Sequence, residues 1–160
     1  MRRYLAERSA TMALLSLLAL AAAAAPANGD AMKRTITMAA VELKGGTTID
    51  KTPFPTAALP EGKGYELKSP GEDGRWEVSA YRWEPSQIIV NQGDEVTLEI
   101  IGVNGAEHPA VIEGYDISFT VKRGELTTVT FVADKPGVFS LQCGTHLPSM
   151  VGELIVLAGN

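Results

Sequence analysis

The chain has 160 residues, 45% hydrophobic and 21% charged, an ordinary globular composition with enough apolar material for one domain and its core. Its 14 Lys+Arg against 19 Asp+Glu leave a formal charge of −5, and no basic stripe or lysine cluster is present to bind nucleic acid or anionic lipid. The single cysteine excludes an internal disulfide and leaves three roles for the thiol: an idle buried group, an intermolecular link or a ligand.

The chain opens with Arg2, Arg3 and Arg8, followed by the uncharged run Met12 to Ala25 and the small-residue triplet Ala25-Pro26-Ala27. That run has 14 residues, short of the 18 or so expected of a membrane span, and the order of basic head, apolar middle and small-residue end is that of a secretory signal cut before Asn28. Arg2-Arg3 lacks the full surroundings of a twin-arginine signal. Without residues 1–27, which hold Arg2, Arg3, Arg8 and Glu7, the remainder carries 11 basic and 18 acidic groups, a formal charge of −7. The expectation is a periplasmic or otherwise exported protein, touching a membrane only where the amino-terminal segment stays uncleaved.

Thr35 to Leu43 reads as a first strand with Ile36, Met38 and Val41 inward, ended by Gly45-Gly46. From Thr47 to Gly74, Pro53, Pro55, Pro60 and Pro70 with Gly62, Gly64, Gly71 and Gly74 resist helix and central strand alike, so a long meander is expected, with a short strand near Tyr65 to Lys68. Trp76, Val78 and Ala80 then alternate with polar residues until Pro85, and Ile88 to Val90 forms a short apolar strand closed by Asn91-Gln92-Gly93-Asp94. Val96, Leu98 and Ile100 give the clearest period-2 pattern, repeated by Ile117, Phe119 and Val121, by Val129, Phe131 and Ala133, and by Phe139, Leu141 and Cys143. Leu154 and Val156 point inward from a last strand. Short strands at this spacing, divided by Gly, Pro and Asp turns, are the pattern of an all-β antiparallel sandwich or barrel. The expected division is 1–27 signal peptide, 28–74 amino-terminal strand and Pro/Gly-rich segment, and 75–160 metal-binding domain.

Chemistry concentrates in Cys143-Gly144-Thr145-His146-Leu147-Pro148-Ser149-Met150. A buried Cys at a strand end is ordinarily a small hydrophobe. This one is followed within seven residues by an imidazole and a thioether, donors that a copper ion accepts when it is held for electron transfer. Such a site needs a second imidazole, and His108 is the only other histidine in the chain. Asn104, beside Gly105, is either a turn residue or a hydrogen-bonding support for the ligand loop. Pro109, Ala110, Leu147, Pro148 and Val151 either pack the barrel end or form an apolar docking patch. Trp76, Tyr81 and Trp83 are assigned to packing of the body. The scattered carboxylates contain no pair or Ser/His/Asp set suited to hydrolysis.

Residues 76–157 resemble a cupredoxin, the blue copper protein family, and in style the copper domains of cytochrome oxidase subunit II and nitrous oxide reductase. The resemblance rests on Pro85 with Ile88 and Val90, Gly93-Asp94-Glu95-Val96, His108, Lys122-Arg123-Gly124-Glu125, Phe131 through Gly137, and Cys143-Gly144-Thr145-His146 through Met150 to Gly152. It implies a Greek-key β-sandwich or barrel, one copper ion per chain cycling between Cu(I) and Cu(II), His108, Cys143 and His146 as equatorial ligands and Met150 as the axial one. Binuclear copper domains use two cysteines, and the single Cys143 does not match them. The loop spacing C-x2-H-x3-M falls between plastocyanin-like and amicyanin-like members, which leaves the colour open among blue, green and red. By resemblance to nitrosocyanin, a red copper protein, Glu107 or Glu113 is an alternative ligand at an open copper position that binds a small molecule.

The expected function is electron transfer without catalysis, between redox partners such as a c-type cytochrome or a terminal oxidase, to whose basic docking faces an acidic body is suited. A periplasmic copper carrier using Met32, Met38 and Met150 is the remaining alternative. Amino-terminal sequencing of the exported protein checks the processing: the first residue is expected to be Asn28, and retention of residues 1–27 would overturn the cleaved-signal reading.

Overall fold

Val96, Leu98 and Ile100 occupy alternate positions of one strand and are all completely buried, while Glu95, Thr97 and Glu99 between them reach solvent. Removing one such side chain from water contributes about 1.5–3 kcal/mol, and Ile88 with Val90 and Leu154 with Val156 repeat the arrangement. The computed structural model describes residues 31–159, so the expected signal segment 1–27 lies outside the described residues. Among the described residues there is no helix, and none long and apolar enough to cross a membrane.

The strands are β1 (Lys33–Thr48), β2 (Tyr65–Lys68), β3 (Arg75–Glu84), β4 (Gln87–Asn91), β5 (Glu95–Gly102), β6 (Glu107–Ile112), β7 (Ile117–Lys122), β8 (Leu126–Val132), β9 (Gly137–Cys143) and β10 (Val151–Leu157). They form two five-stranded sheets, β2-β3-β1-β5-β8 and β4-β10-β9-β6-β7, an all-β sandwich. Between the sheets lie Met38, Trp83, Ile88, Leu98, Ile100, Ile112, Leu141, Met150 and Leu154. The pairing is not purely antiparallel: β1 runs parallel to β5, and β4 parallel to β10. Each parallel pair joins strands separated by at least one strand of the other sheet, a crossover that local alternation does not reveal.

Two local expectations are revised. The first strand does not end at Gly45-Gly46; it continues to Thr48, because β3 supplies an antiparallel partner at every step, Gly45 opposite Val78 and Gly46 opposite Glu77. Its inward face passes through Ile36, Met38 and Ala40, with Val41 only half-buried. On β3 the inward set is the odd one. Trp83 is fully buried and Tyr81 partly so, whereas Val78 is exposed. Trp76, on the other face, packs edge-on against Phe54 of the Pro/Gly-rich segment, and its Nε1 donates to the Thr52 carbonyl at 2.9 Å.

The start of β1 is tied to the β4–β5 turn by Asp94, which is 1% exposed. Its carboxylate accepts from the backbone N–H of Asn91 at 2.8 Å and of Met32 at 2.9 Å, and pairs with Arg34. Burial works against the charged form, yet the Asn91 and Met32 donors and the Arg34 guanidinium outweigh it and hold this carboxyl below its usual range. A folded-state pKa below the unfolded one stabilises the fold fully above the unfolded value, about 3.9 for Asp, and the contribution is lost as pH falls through the folded value. Asp94→Asn is therefore expected to lower stability at pH 7 by about 2 kcal/mol. Thermal melts across pH 2–7 should show the variant's deficit shrinking toward the acid end.

Candidate metal centre

The register of sheet two brings the first two donors together. Ala110 of β6 lies opposite Cys143, the last residue of β9. His108 is two residues from Ala110 on the same face of β6, so its ring reaches past the end of β9 toward the Cys143 thiol. Both residues are completely buried. Beyond β9 the chain folds back on itself: His146 N–H donates to the Cys143 carbonyl at 3.3 Å, Met150 N–H to the His146 carbonyl at 3.0 Å, and Cys143 N–H to the Met150 carbonyl at 3.0 Å. Gly144 N–H donates to the Pro109 carbonyl at 2.9 Å, fastening this loop to the residue after His108.

The result is a triangle of donor atoms. His108 Nδ1 and His146 Nδ1 are 3.1 Å apart, Cys143 Sγ is 3.5 Å from His146 Nδ1 and 3.9 Å from His108 Nδ1. A point equidistant from these corners lies about 2 Å from each, close to ordinary metal–imidazole and metal–thiolate lengths of about 2.0 and 2.3 Å. His108 Nε2 faces the Asn104 carbonyl at 2.8 Å, an atom that only accepts, so Nε2 carries the proton and Nδ1 presents its lone pair to the centre. His108, Cys143 and His146 can hold a metal ion. Met150 is also fully buried, within the same core cluster as Cys143.

The electrostatics favour a neutral imidazole at His146. Burial, and then the neighbouring His108, lower the pKa of His146. Burial pushes the Cys143 thiol up, and the backbone N–H groups of His146 and Thr145 partly oppose this. Two N–H groups aimed at sulfur, with two imidazole Nδ1 atoms beside it, suit a thiolate compensated by a cation.

The remaining candidates fall elsewhere. Glu107 precedes His108 on β6, and strand alternation turns it to the exposed face; Glu113 is also exposed, and neither joins the donor grouping among the described residues. The Asn104 side chain does not reach the ligand loop: its Oδ1 accepts from Glu42 N–H at 2.6 Å and its Nδ2 faces the Glu42 carbonyl at 3.3 Å, while its backbone carbonyl is what orients His108. Ala110 is buried, whereas Pro109, Leu147, Pro148 and Val151 are exposed around the loop.

Two supports have no signal in the sequence. Tyr81, assigned to body packing, stacks on the His146 ring with centroids 3.8 Å apart. The second lies at Lys63 and Gly64, in the Pro/Gly-rich segment, whose N–H groups donate to the Leu147 carbonyl at 3.1 and 3.2 Å. Ser149 Oγ lies 2.6 Å from the Gly64 carbonyl and 2.8 Å from that of Tyr81. Proline and glycine density marked this segment as irregular, and nothing in it marked what it covers.

Comparison with known proteins places these features in context. The model of the cupredoxin-like domain family matches residues 68–156. A nitrous-oxide reductase from Ralstonia nicotianae is 47% identical over 63 residues, 38% of this chain and 10% of that protein. Cytochrome c oxidase subunit 2 from Thermus thermophilus is 30% identical over 81 residues, 48% of this chain and 59% of that protein. The chain thus spans about a tenth of the reductase it matches and somewhat over half of the oxidase subunit. Among solved structures, a copper nitrite reductase from Nitrosomonas europaea aligns with a TM-score of 0.49 and 20% identity, covering 79% of this chain and 42% of that chain.

Gly64 is buried against the ligand loop, where a Cβ would meet the His146 carbonyl, Ser149 Oγ and, at 2.7 Å, Ser149 N. Gly64→Ala is therefore expected to lift the segment off the loop, lowering stability by about 1–3 kcal/mol. Amide hydrogen exchange should show faster exchange at Lys63 and at position 64, and unchanged protection there would count against this contact.

Proposed function

The chain belongs to the cupredoxin-like domain family, and from that premise we propose that it is an exported electron carrier in which His108, Cys143 and His146 would hold one copper ion, with Met150 as a fourth, weaker donor. The observation that carries this reading is the donor triangle, two imidazole Nδ1 atoms 3.1 Å apart beside one thiol sulfur. Two imidazoles, one thiolate and a thioether are the donor set of electron-transfer copper sites.

Bound copper would supply a one-electron Cu(I)/Cu(II) couple. The protein's own contribution is rigidity and exclusion of water. Cys143, His108 and Met150 are each 0% exposed, and the loop bearing His146 is closed by backbone hydrogen bonds to Cys143 and Met150. Donors that stay in place when the charge on the site changes keep the reorganisation accompanying electron transfer small. The Asn104 carbonyl holds the His108 tautomer that leaves Nδ1 free as a donor.

Export follows from the amino-terminal segment, and the partners are redox proteins such as a c-type cytochrome or a terminal oxidase. Their approach is assisted by the formal charge of −7 on residues 28–160, which raises encounter with basic faces more than it raises affinity. Pro109, Leu147, Pro148 and Val151, exposed around His146, supply an apolar contact beside the site.

Titration of the metal-free protein with Cu(II) tests the assignment. An intense visible thiolate-to-copper band is expected to saturate at one ion per chain, to bleach on reduction and to be absent in Cys143→Ser; lack of the band in the unaltered protein would overturn the proposal. In Met150→Leu the band is expected to persist and the reduction potential to rise, because an apolar side chain in place of a donor disfavours the more highly charged Cu(II), and an unchanged potential would remove Met150 from the ligand set.

A further inference from the structure

The two imidazoles are held by different means. His108 is oriented by its hydrogen bond to the Asn104 carbonyl. Among the described residues no hydrogen bond reaches His146 Nε2, and what faces that ring is Tyr81, stacked at 3.8 Å with an interplanar angle of 21°. The same tyrosine lies 5.7 Å from the His108 ring centroid. Gly105, at φ 80°, permits that approach: a Cβ there would stand 2.8 Å from His108 and 3.0 Å from Tyr81.

Tyr81 is itself fixed from several directions. Its N–H donates to the Gly64 carbonyl at 3.0 Å, and its carbonyl lies 2.8 Å from Ser149 Oγ. In the pairing of β1 with β3 it stands opposite Glu42, whose side chain is only 8% exposed. Lys44 Nζ holds that carboxylate at 2.9 Å, and Asn104 Nδ2 lies 3.3 Å from it. Asn104 is also the residue that orients His108, so the supports of the two imidazoles meet at Glu42 and Tyr81. Glu42 and Gly64 both precede residue 68, where the family match begins.

We propose that Tyr81 is the positioning residue for His146: its ring, held by Gly64, Ser149 and the Glu42 side of β1, keeps the imidazole turned with Nδ1 toward His108 Nδ1 and Cys143 Sγ before a metal arrives. The inference rests on the copper-site reading above for its consequence, a preformed site, but the stacking itself is a contact between two side chains that can be tested without copper. An imidazole face against a tyrosine ring is a favourable aromatic contact, and losing it frees the ring to rotate away from the other donors. Without Tyr81, part of the binding free energy goes into ordering His146, so affinity falls by about 3- to 10-fold.

The test has two arms on the intact chain, with Tyr81→Leu and Tyr81→Phe. In metal-free protein, the His146 ring protons are expected to be shifted upfield by the tyrosine ring current, to remain so in Tyr81→Phe, and to return toward ordinary values in Tyr81→Leu. In the copper-loaded protein, Tyr81→Leu is expected to bind about 3- to 10-fold more weakly and to show a displaced thiolate band, with Tyr81→Phe close to the unaltered protein. A ring-fluorinated tyrosine at position 81, which preserves the packing while altering the ring's face, is expected to displace the His146 resonances and the band even if Tyr81→Leu does not fold. Unchanged His146 resonances in Tyr81→Leu, or in the fluorinated protein, would overturn the stacking. Shifted resonances with unchanged copper affinity and spectrum would overturn the positioning role. Failure of the unaltered chain to form any thiolate–copper band would instead sink the copper reading, while the metal-free arm still reports on Tyr81.

Discussion

Two imidazole Nδ1 atoms set 3.1 Å apart, beside a buried thiol at the end of an apolar sandwich, form a polar cluster that the rest of the structure has to hold in place. Gathering polar groups away from water costs free energy, and here two imidazoles and a thiol converge on one another without any carboxylate among them. The arrangement persists because each donor is carried by an element that cannot easily move. His108 is on a strand paired on both sides, Cys143 ends a strand paired on both sides, and His146 sits in a loop closed by its own backbone hydrogen bonds. A cation placed between them would relieve the clustering, which is why the donor geometry speaks of a metal more strongly than any one residue does.

Much of that rigidity comes from residues that precede the span matched by the family. β1 lies between β3 and β5 in the middle of its sheet, and its Glu42 binds the Asn104 side chain, whose carbonyl in turn holds His108. The Pro/Gly-rich segment meets the loop at Lys63 and Gly64, and it meets β3 through Phe54 against Trp76. The buried Asp94 closes the other end of β1 against the β4–β5 turn. The described part of the amino-terminal stretch thus meets the rest of the sandwich through β1, Phe54, Lys63 and Gly64, and supports the donor cluster at two places, Glu42 through Asn104 and Gly64 through the ligand loop.

The sheets were legible where burial on one face alternates with exposure on the other, as along Val96, Leu98 and Ile100 or along Leu154 and Val156. Legibility failed where a partner strand overrode local signals. Gly45-Gly46 reads as a stop because glycine gains conformational freedom in the unfolded chain, but ladder hydrogen bonds to Val78 and Glu77 hold it as strand. On β3 both faces carry aromatic or apolar residues, so alternation could not tell which face is inside; β1 and the opposite sheet decide it, burying Trp83 and turning Trp76 to the Pro/Gly-rich segment. Parallel pairing of β1 with β5 was equally out of reach, since it depends on contacts between strands far apart in the chain.

What the sequence determined by itself is the composition of the site and the parity of the strands that carry it. A chain with one cysteine and two histidines has few ways to assemble a Cys/His cluster, and the alternation through Phe139, Leu141 and Cys143 already turned the thiol inward. Only the tertiary structure decided the supports: that Asn104 acts on His108 through its carbonyl, that Glu107 faces solvent, and that Tyr81 and Gly64 close over His146. The reason is physical. Side-chain direction along a strand follows from a two-residue period that can be counted, whereas the distance from Tyr81 to His146 depends on how two sheets and a loop, 65 residues apart in the chain, are packed together.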